Sequence, residues 1–246
     1  MIKLQLSEKP SELTPGKEKE LIDKYNRDGS DVWNKKFIRR AVLEFSLYKC
    51  CYSECMLEEE SKYMEVDHFF PKKYFPEKII EWGNLLPSSK KCNATKGEHN
   101  TLLEPILNPC IDDPKQHLYI EYFRIYAKTP LGRTTIDITG LNNRKHFANK
   151  RARIGLKAME ILEDLHDDAV ISTISTSRKK TRYITKIKNL LEQATRENEY
   201  SATLSTLILE SSKFAAIENF LRDNSLWDDE FNELKSELTF CSLPKP

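Results

Sequence analysis

Apolar residues follow two different rhythms along this chain. Beyond about residue 150 they recur at steps of three and four: Ile154, Ala158, Ile161, Leu162 and Leu165, then Ile184, Ile187, Leu190, Leu191 and Ala194, then Leu204, Leu207 and Ile208. That period lines one face of a helix and predicts a helical C-terminal region. Upstream the pattern is shorter and mixed. Ile2, Leu4 and Leu6 alternate with Lys3 and Gln5, which predicts a short strand. Thr14-Pro15 reads as the cap and first turn of a helix to about Asn26, and Val32 to Leu47 as a second helix. Tyr63 to Val66 predicts a strand, Asn84 to Pro87 its partner, and Lys90 to Lys96 the start of a helix. His117 to Tyr126 and Thr134 to Thr139, on either side of Pro130-Leu131-Gly132, predict a β-hairpin; Gly140-Leu141-Asn142 ends it and helix resumes near Arg144. The expected class is α+β, a small two-strand-and-helix core embedded in a mostly helical protein.

These elements divide the chain into residues 1–47 (strand and helices), 48–116 (central unit), 117–140 (hairpin) and 141–246 (helical region), without an internal repeat. At 246 residues the chain is long enough for a substantial core. It has no apolar run of eighteen residues and no signal-peptide pattern, so neither membrane insertion nor secretion is indicated. Six cysteines without regular spacing fit a reducing cytoplasm. The net charge of +1 argues against a nonspecific nucleic-acid coat and makes the distribution of charge informative. Residues 141–190 hold twelve Lys/Arg against five Asp/Glu, a net of +7, whereas 191–246 hold five against eleven, a net of −6. The basic stretch suits a nucleic-acid path and the acidic one a protein partner; solvated helix faces explain both as cheaply.

Candidate chemistry concentrates between Lys49 and Asn100. Asp67-His68 is followed sixteen positions on by Asn84, and then by Cys92-Asn93-Ala94-Thr95-Lys96. Hydrolysing a phosphodiester takes a base for the attacking water, a divalent cation on the phosphate and cationic groups to hold the polyanion. His68 is the natural base, because a neutral imidazole accepts a proton near pH 7. In mid-strand Asp67 and His68 point to opposite faces, so the chain must bend there for both to serve one site, and Pro71 supports a bend. Asn93 and Lys96 lie three apart on one helix face. Taken singly, each of these residues is more commonly a surface or packing residue; their order and spacing raise the functional reading.

The motifs Lys49-Cys50-Cys51-Tyr52-Ser53-Glu54, Val66-Asp67-His68-Phe69-Phe70-Pro71-Lys72, Trp82-Gly83-Asn84-Leu85-Leu86, Cys92-Asn93-Ala94-Thr95-Lys96-Gly97 and Asn108 to Leu118 resemble the HNH endonuclease subunits of Septu-type and retron-associated antiphage systems. The resemblance covers residues 33–145 well and the last hundred loosely. It implies a ββα-metal (HNH) core, with His68 as general base, Asp67 and Asn93 as metal ligands, and Asn84 tying down the intervening loop and orienting His68. One carboxylate and one amide oxygen form a hard site, suited to Mg²⁺ or Mn²⁺. Lys72, Lys73, Lys91 and Lys96 are the candidates for phosphate contacts. An ABC/SMC-like ATPase subunit is the implied partner, with DNA as the substrate. RNA or tRNA cleavage by a toxin on the same scaffold, and an inactive HNH-like binding module, are the alternatives.

Relatives of this kind carry two Cys-x-x-Cys pairs around a structural Zn²⁺. Here Ser53 and Ser89 interrupt both pairs, which argues against a zinc; Cys50, Cys55 and Cys92 are the ligands left for one. Asp112 and Asp113, flanked by prolines, read as a loop and helix-start device. Leu226, Trp227, Phe231 and Leu234 are expected to offer partner-docking anchors near the C-terminus.

Overall fold

The computed structural model describes residues 1–57, 63–170 and 176–246, with Val170 described for its backbone only. It is α+β and mostly helical. The first helix, α1 (Pro15–Asp28), starts where the sequence predicts, with the Thr14 side chain accepting from the Lys17 amide and Pro15 in the first turn. Residues 2–6 form no strand. Their alternation is nonetheless physical, because Ile2 and Leu4 bury in the core while the Leu4 amide donates to the Pro109 carbonyl instead of to a ladder partner. The long second helix is also divided: a 3₁₀ turn at Val32–Asn34 precedes α2 (Lys36–Phe45), and the extended Lys35 between them sets Trp33 apart from the helix.

Next, β1 (Met64–His68) pairs antiparallel with β2 (Leu85–Ser89), in a register that sets Met64 opposite Ser89 and His68 opposite Leu85. The chain then enters α3 (Lys90–Lys96), where the Ser89 hydroxyl accepts from the Cys92 amide as the cap. In α4 (Pro114–His117) Asp113 caps the Lys115 amide, while Asp112 accepts from the Asn108 amide, so both acids are loop devices.

The predicted hairpin lies elsewhere. It joins β3 (Leu118–Glu121) to β4 (Arg124–Ala127) through Tyr122-Phe123, both left-handed at φ 46 and 64. Thr134 to Thr139 belong instead to α5 (Pro130–Thr139), where Thr129 caps the helix and Pro130 opens it. Thr135 and Thr139 bond back to the carbonyls of Leu131 and Thr135, which lets β-branched residues sit in a helix.

A π-helical turn at Arg144–Ala148 leads into α6 (Asn149–Val170), followed by α7 (Ser177–Glu192), α8 (Ser201–Leu209), α9 (Ser212–Asp223) and α10 (Asp229–Cys241). One buried cluster joins the N-terminal residues to the β1–β2 pair, the β3–β4 pair and α5; the other fills the space among α6 to α10. Phe231 is fully buried in the second cluster, with Leu226, Trp227 and Leu234 packed on it. Phe231 thus belongs to the protein's own core, and Leu226, Trp227 and Leu234 are partly buried against it.

Gly132 in α5 is a point of close approach: a Cβ there would lie 2.1 Å from the His117 carbonyl oxygen. Gly132→Ala is expected to cost at least about 2 kcal/mol, as overpacking against rigid backbone does. Urea unfolding with an unchanged midpoint would refute this.

Candidate active site

Side chains alternate along β1, so Glu65 and Asp67 share one face and His68 takes the other. The α3 helix crosses the first face. Asn93 donates from Nδ2 to Glu65 Oε2 at 2.7 Å, and the Lys96 ammonium reaches Asp67 Oδ1 at 2.9 Å and the His68 carbonyl at 2.7 Å. The other oxygen of Asp67 accepts from the Tyr52 hydroxyl at 2.7 Å. All three members of this chain, Tyr52, Asp67 and Lys96, are buried. Burial, with Asp67 beside it, pushes the Tyr52 hydroxyl well above its ordinary value, so it stays a donor.

Two expectations are corrected here. Lys96 is a buried structural cation and not a phosphate contact. Asp67 and Asn93 do not face a common ion, because the helix meets the strand one pair out of step: Asn93 finds Glu65, and Lys96 finds Asp67. With both Asp67 oxygens engaged, these residues do not fit a divalent cation as arranged. Among the described residues no group of three or more His, Cys, Asp or Glu is placed to hold a metal. Cys50, Cys55 and Cys92 are all buried, with the Cys50 sulfur near Ser88 and the Ser53 amide, and Cys55 accepting from the Ser53 hydroxyl. Burial and the neighbouring Cys50 push the Cys92 thiol well up.

His68 sits on the opposite face. A carbonyl only accepts, so the 3.1 Å contact from Nε2 to the Ile79 oxygen places the proton on Nε2. That leaves Nδ1 as the acceptor, without a partner among the described residues. Trp33 packs edge-on against the imidazole at 4.8 Å, and Lys72 lies over the Trp33 ring at 4.0 Å. Burial pushes the pKa of His68 from its ordinary 6.5 down to about 4, against the Ile79 carbonyl and Asp67 and with the help of Lys72 and Lys96. The ring is therefore neutral near pH 7. Asn84 is buried and holds the loop between the strands: its Oδ1 accepts from the Phe70 amide at 2.7 Å, and its Nδ2 donates to the carbonyls of Phe70 and Lys78. Ile79 lies within that loop, so Asn84 acts on the imidazole through the backbone. Sequence reasoning missed Tyr52, Trp33 and Ile79. Tyr52 and Trp33 stood within the stretch of resemblance, but a carbonyl leaves no mark in sequence.

Lys73 is exposed and pairs with Glu98 at 2.5 Å, and Lys91 is half-buried on the far side of α3 from β1. Lys72 is thus the candidate lysine on the Trp33 side of the His68 ring, while Lys96 holds the His68 carbonyl.

An α+β chain with a neutral histidine on a strand pair, braced by a helix, is the class that fold and site define. Compared with known proteins, it is 37% identical over 249 aligned positions to the Septu protein PtuB of Bacillus thuringiensis, covering 100% of this chain and 96% of that one. A second Septu protein PtuB, from Bacillus mycoides (strain KBAB4), is 28% identical over 154 positions, covering 48% of this chain and 52% of that one. The chain belongs to the Septu PtuB family. No protein-family model and no solved structure matches it.

Two measurements probe the site without assuming activity. Lys96→Met leaves Asp67 buried and unpaired and is expected to cost about 3–5 kcal/mol; Asp67→Asn in the same chain should recover a substantial part. Purely additive losses in urea unfolding would refute the pairing. For His68 the unfolded chain binds more protons than the folded one between about pH 6.5 and 4. Stability should therefore fall as pH falls through that window, by roughly 3 kcal/mol in all at about 1.36 kcal/mol per unit. His68→Gln should lack that component, and a wild-type profile in the variant would contradict it.

Proposed function

We propose that this chain is the nuclease component of an antiphage defence complex, hydrolysing phosphodiester bonds of DNA and working with an ATPase subunit. The observation that supports the chemistry most directly is the geometry of His68: its Nε2–H donates to the Ile79 carbonyl and its Nδ1 is left to accept. An imidazole fixed in this tautomer removes a proton from water as the water attacks phosphorus. Lys72, stacked on Trp33, supplies positive charge next to that base and attracts the phosphate. Asn84 keeps the carbonyl in place, so it is a positioning residue.

No step of this reading runs through a divalent cation. Mg²⁺ or Mn²⁺ at Asp67 requires Lys96 to leave it first. The defence role follows from kinship with a protein named for the Septu system. No helix among the described residues is long and apolar enough to cross a membrane.

The test is cleavage of supercoiled plasmid, linear duplex and single-stranded RNA by the wild type and by His68→Ala, with the ATPase subunit present. Loss of a general base is expected to slow DNA cleavage by about 10²–10⁴-fold while folding and DNA affinity stay close to wild type. An equally active variant would remove His68 from the chemistry, and RNA cut in preference to DNA would overturn the substrate assignment.

A further inference from the structure

A second feature of α3 lies on its other side. Lys90, Lys91 and Ala94 form one wall of a cavity of about 440 Å³, and Lys145, His146 and Lys150 form the facing wall. Phe147 floors it and Tyr63 stands at its edge, 72% exposed. Four lysines and no acidic residue are among the residues that line the space. Among the described residues none of the four is paired with an acid, in a chain whose net charge is only +1. Four lysine charges without an acidic partner among the described residues favour an anion between them. Lys145 and His146 of the facing wall come from the π-helical turn Arg144–Ala148, a rare geometry that recurs at functional sites, and Lys150 comes from the first turn of α6.

We propose that this cavity binds a nucleic-acid strand, its phosphates between Lys90/Lys91 and Lys145/Lys150 and an unpaired base stacked on Tyr63. The volume fits a site for about one nucleotide. A basic groove with an aromatic platform is how proteins take single strands, since every base offers a flat face. The inference rests on the nuclease reading for its choice of polyanion. It adds to that reading a separate strand site, entered from the face of α3 turned away from Asp67.

The experiment is fluorescence anisotropy with a labelled single strand and the matching duplex, across a salt series, on the full chain. Lys145→Glu/Lys150→Glu replaces an exposed and a half-buried charge, neither ion-paired with an acid among the described residues, and circular dichroism should show the fold retained. Single-strand affinity is expected to fall at least tenfold, and the salt slope to become shallower by about 0.7 per lost phosphate contact. Tyr63→Ala should weaken the single strand by roughly tenfold or more and leave the duplex unchanged. Unchanged single-strand affinity in the charge-reversed protein overturns the proposal, as does a wild type that binds no strand. A duplex weakened as much as the strand by Tyr63→Ala overturns the stacked base. Cleavage separates the two readings. A wild type that cuts DNA while the charge-reversed protein binds normally removes only the cavity; one that never cuts but needs the lysines to bind removes only the hydrolysis.

Discussion

The carboxylate of Asp67 is the constraint on which the β1–β2–α3 unit of this protein depends. Burying an ion costs several kcal/mol unless its charge is matched and its lone pairs are filled. Asp67 meets both conditions through groups from two other parts of the chain: Tyr52 before β1 and Lys96 at the end of α3. None of the three can move alone. The same Lys96 ammonium also holds the His68 carbonyl, so the strand on which the imidazole rides is fixed to the helix at that residue. Asn84 fixes the loop from the other side. The tautomer of His68 thus depends on two clamps, one ionic and one amide, both acting through backbone carbonyls.

A second buried network joins this half to the helices. Lys49 and Glu54 are both buried; Lys49 donates to the Asn198 carbonyl and the Ser201 hydroxyl, and Glu54 accepts from the Ser201 hydroxyl and the Ala202 amide at the start of α8. A carboxylate at a helix N-terminus meets free amides and the positive end of the dipole. Burial pushes the Glu54 carboxyl up, but the Met1 amino group and Lys49 outweigh it and hold the carboxyl below its usual range. Glu54 is itself left-handed at φ 62, a conformation the surrounding bonds impose. Arg151 makes a further tie, from α6 to the Phe123 and Leu141 carbonyls. The acidic C-terminal region is therefore integral to the fold.

What the sequence revealed and what it hid divide along physical lines. Helices with caps and periodic apolar faces were legible: Thr14 before Pro15, and the stripes of α6, α7 and α8. The β1–β2–α3 order was legible because short motifs marked it. The β3–β4 turn was not, because Tyr122-Phe123 takes left-handed backbone that Asn-Gly ordinarily supplies, so no turn residue announced it. The Thr-rich α5 looked like strand by propensity, and Thr129-Pro130 was the overlooked start signal. In the candidate site, residue order placed Asp67, His68, Asn84 and Asn93 on one strand-pair-and-helix unit, but pairing did not follow from spacing. Whether Asn93 meets Asp67 or Glu65 depends on where α3 crosses the strand, and a shift of one strand pair changes the partner. That offset comes from packing and leaves no trace in the order of residues.

The offset has a consequence for how one short helix divides its work. With Asn93 and Lys96 turned to β1, Lys91 and Ala94 are turned away from it by simple helical geometry, and Lys90 is exposed at the start of the helix. Inward, the lysine is desolvated and its charge is spent on Asp67. Outward, Lys90 is exposed and Lys91 half-buried, and neither is ion-paired with an acid among the described residues. Residues of one type, within seven positions, thus do opposite jobs, and burial alone decides which. The Ser89 cap and Gly97 at φ 52 fix where the helix begins and ends, so they also fix which lysine faces which way. Sliding the helix by one residue would expose Lys96 and strand Asp67 without a partner. The burial of Asp67 therefore sets the register, and the register sets the outward charge.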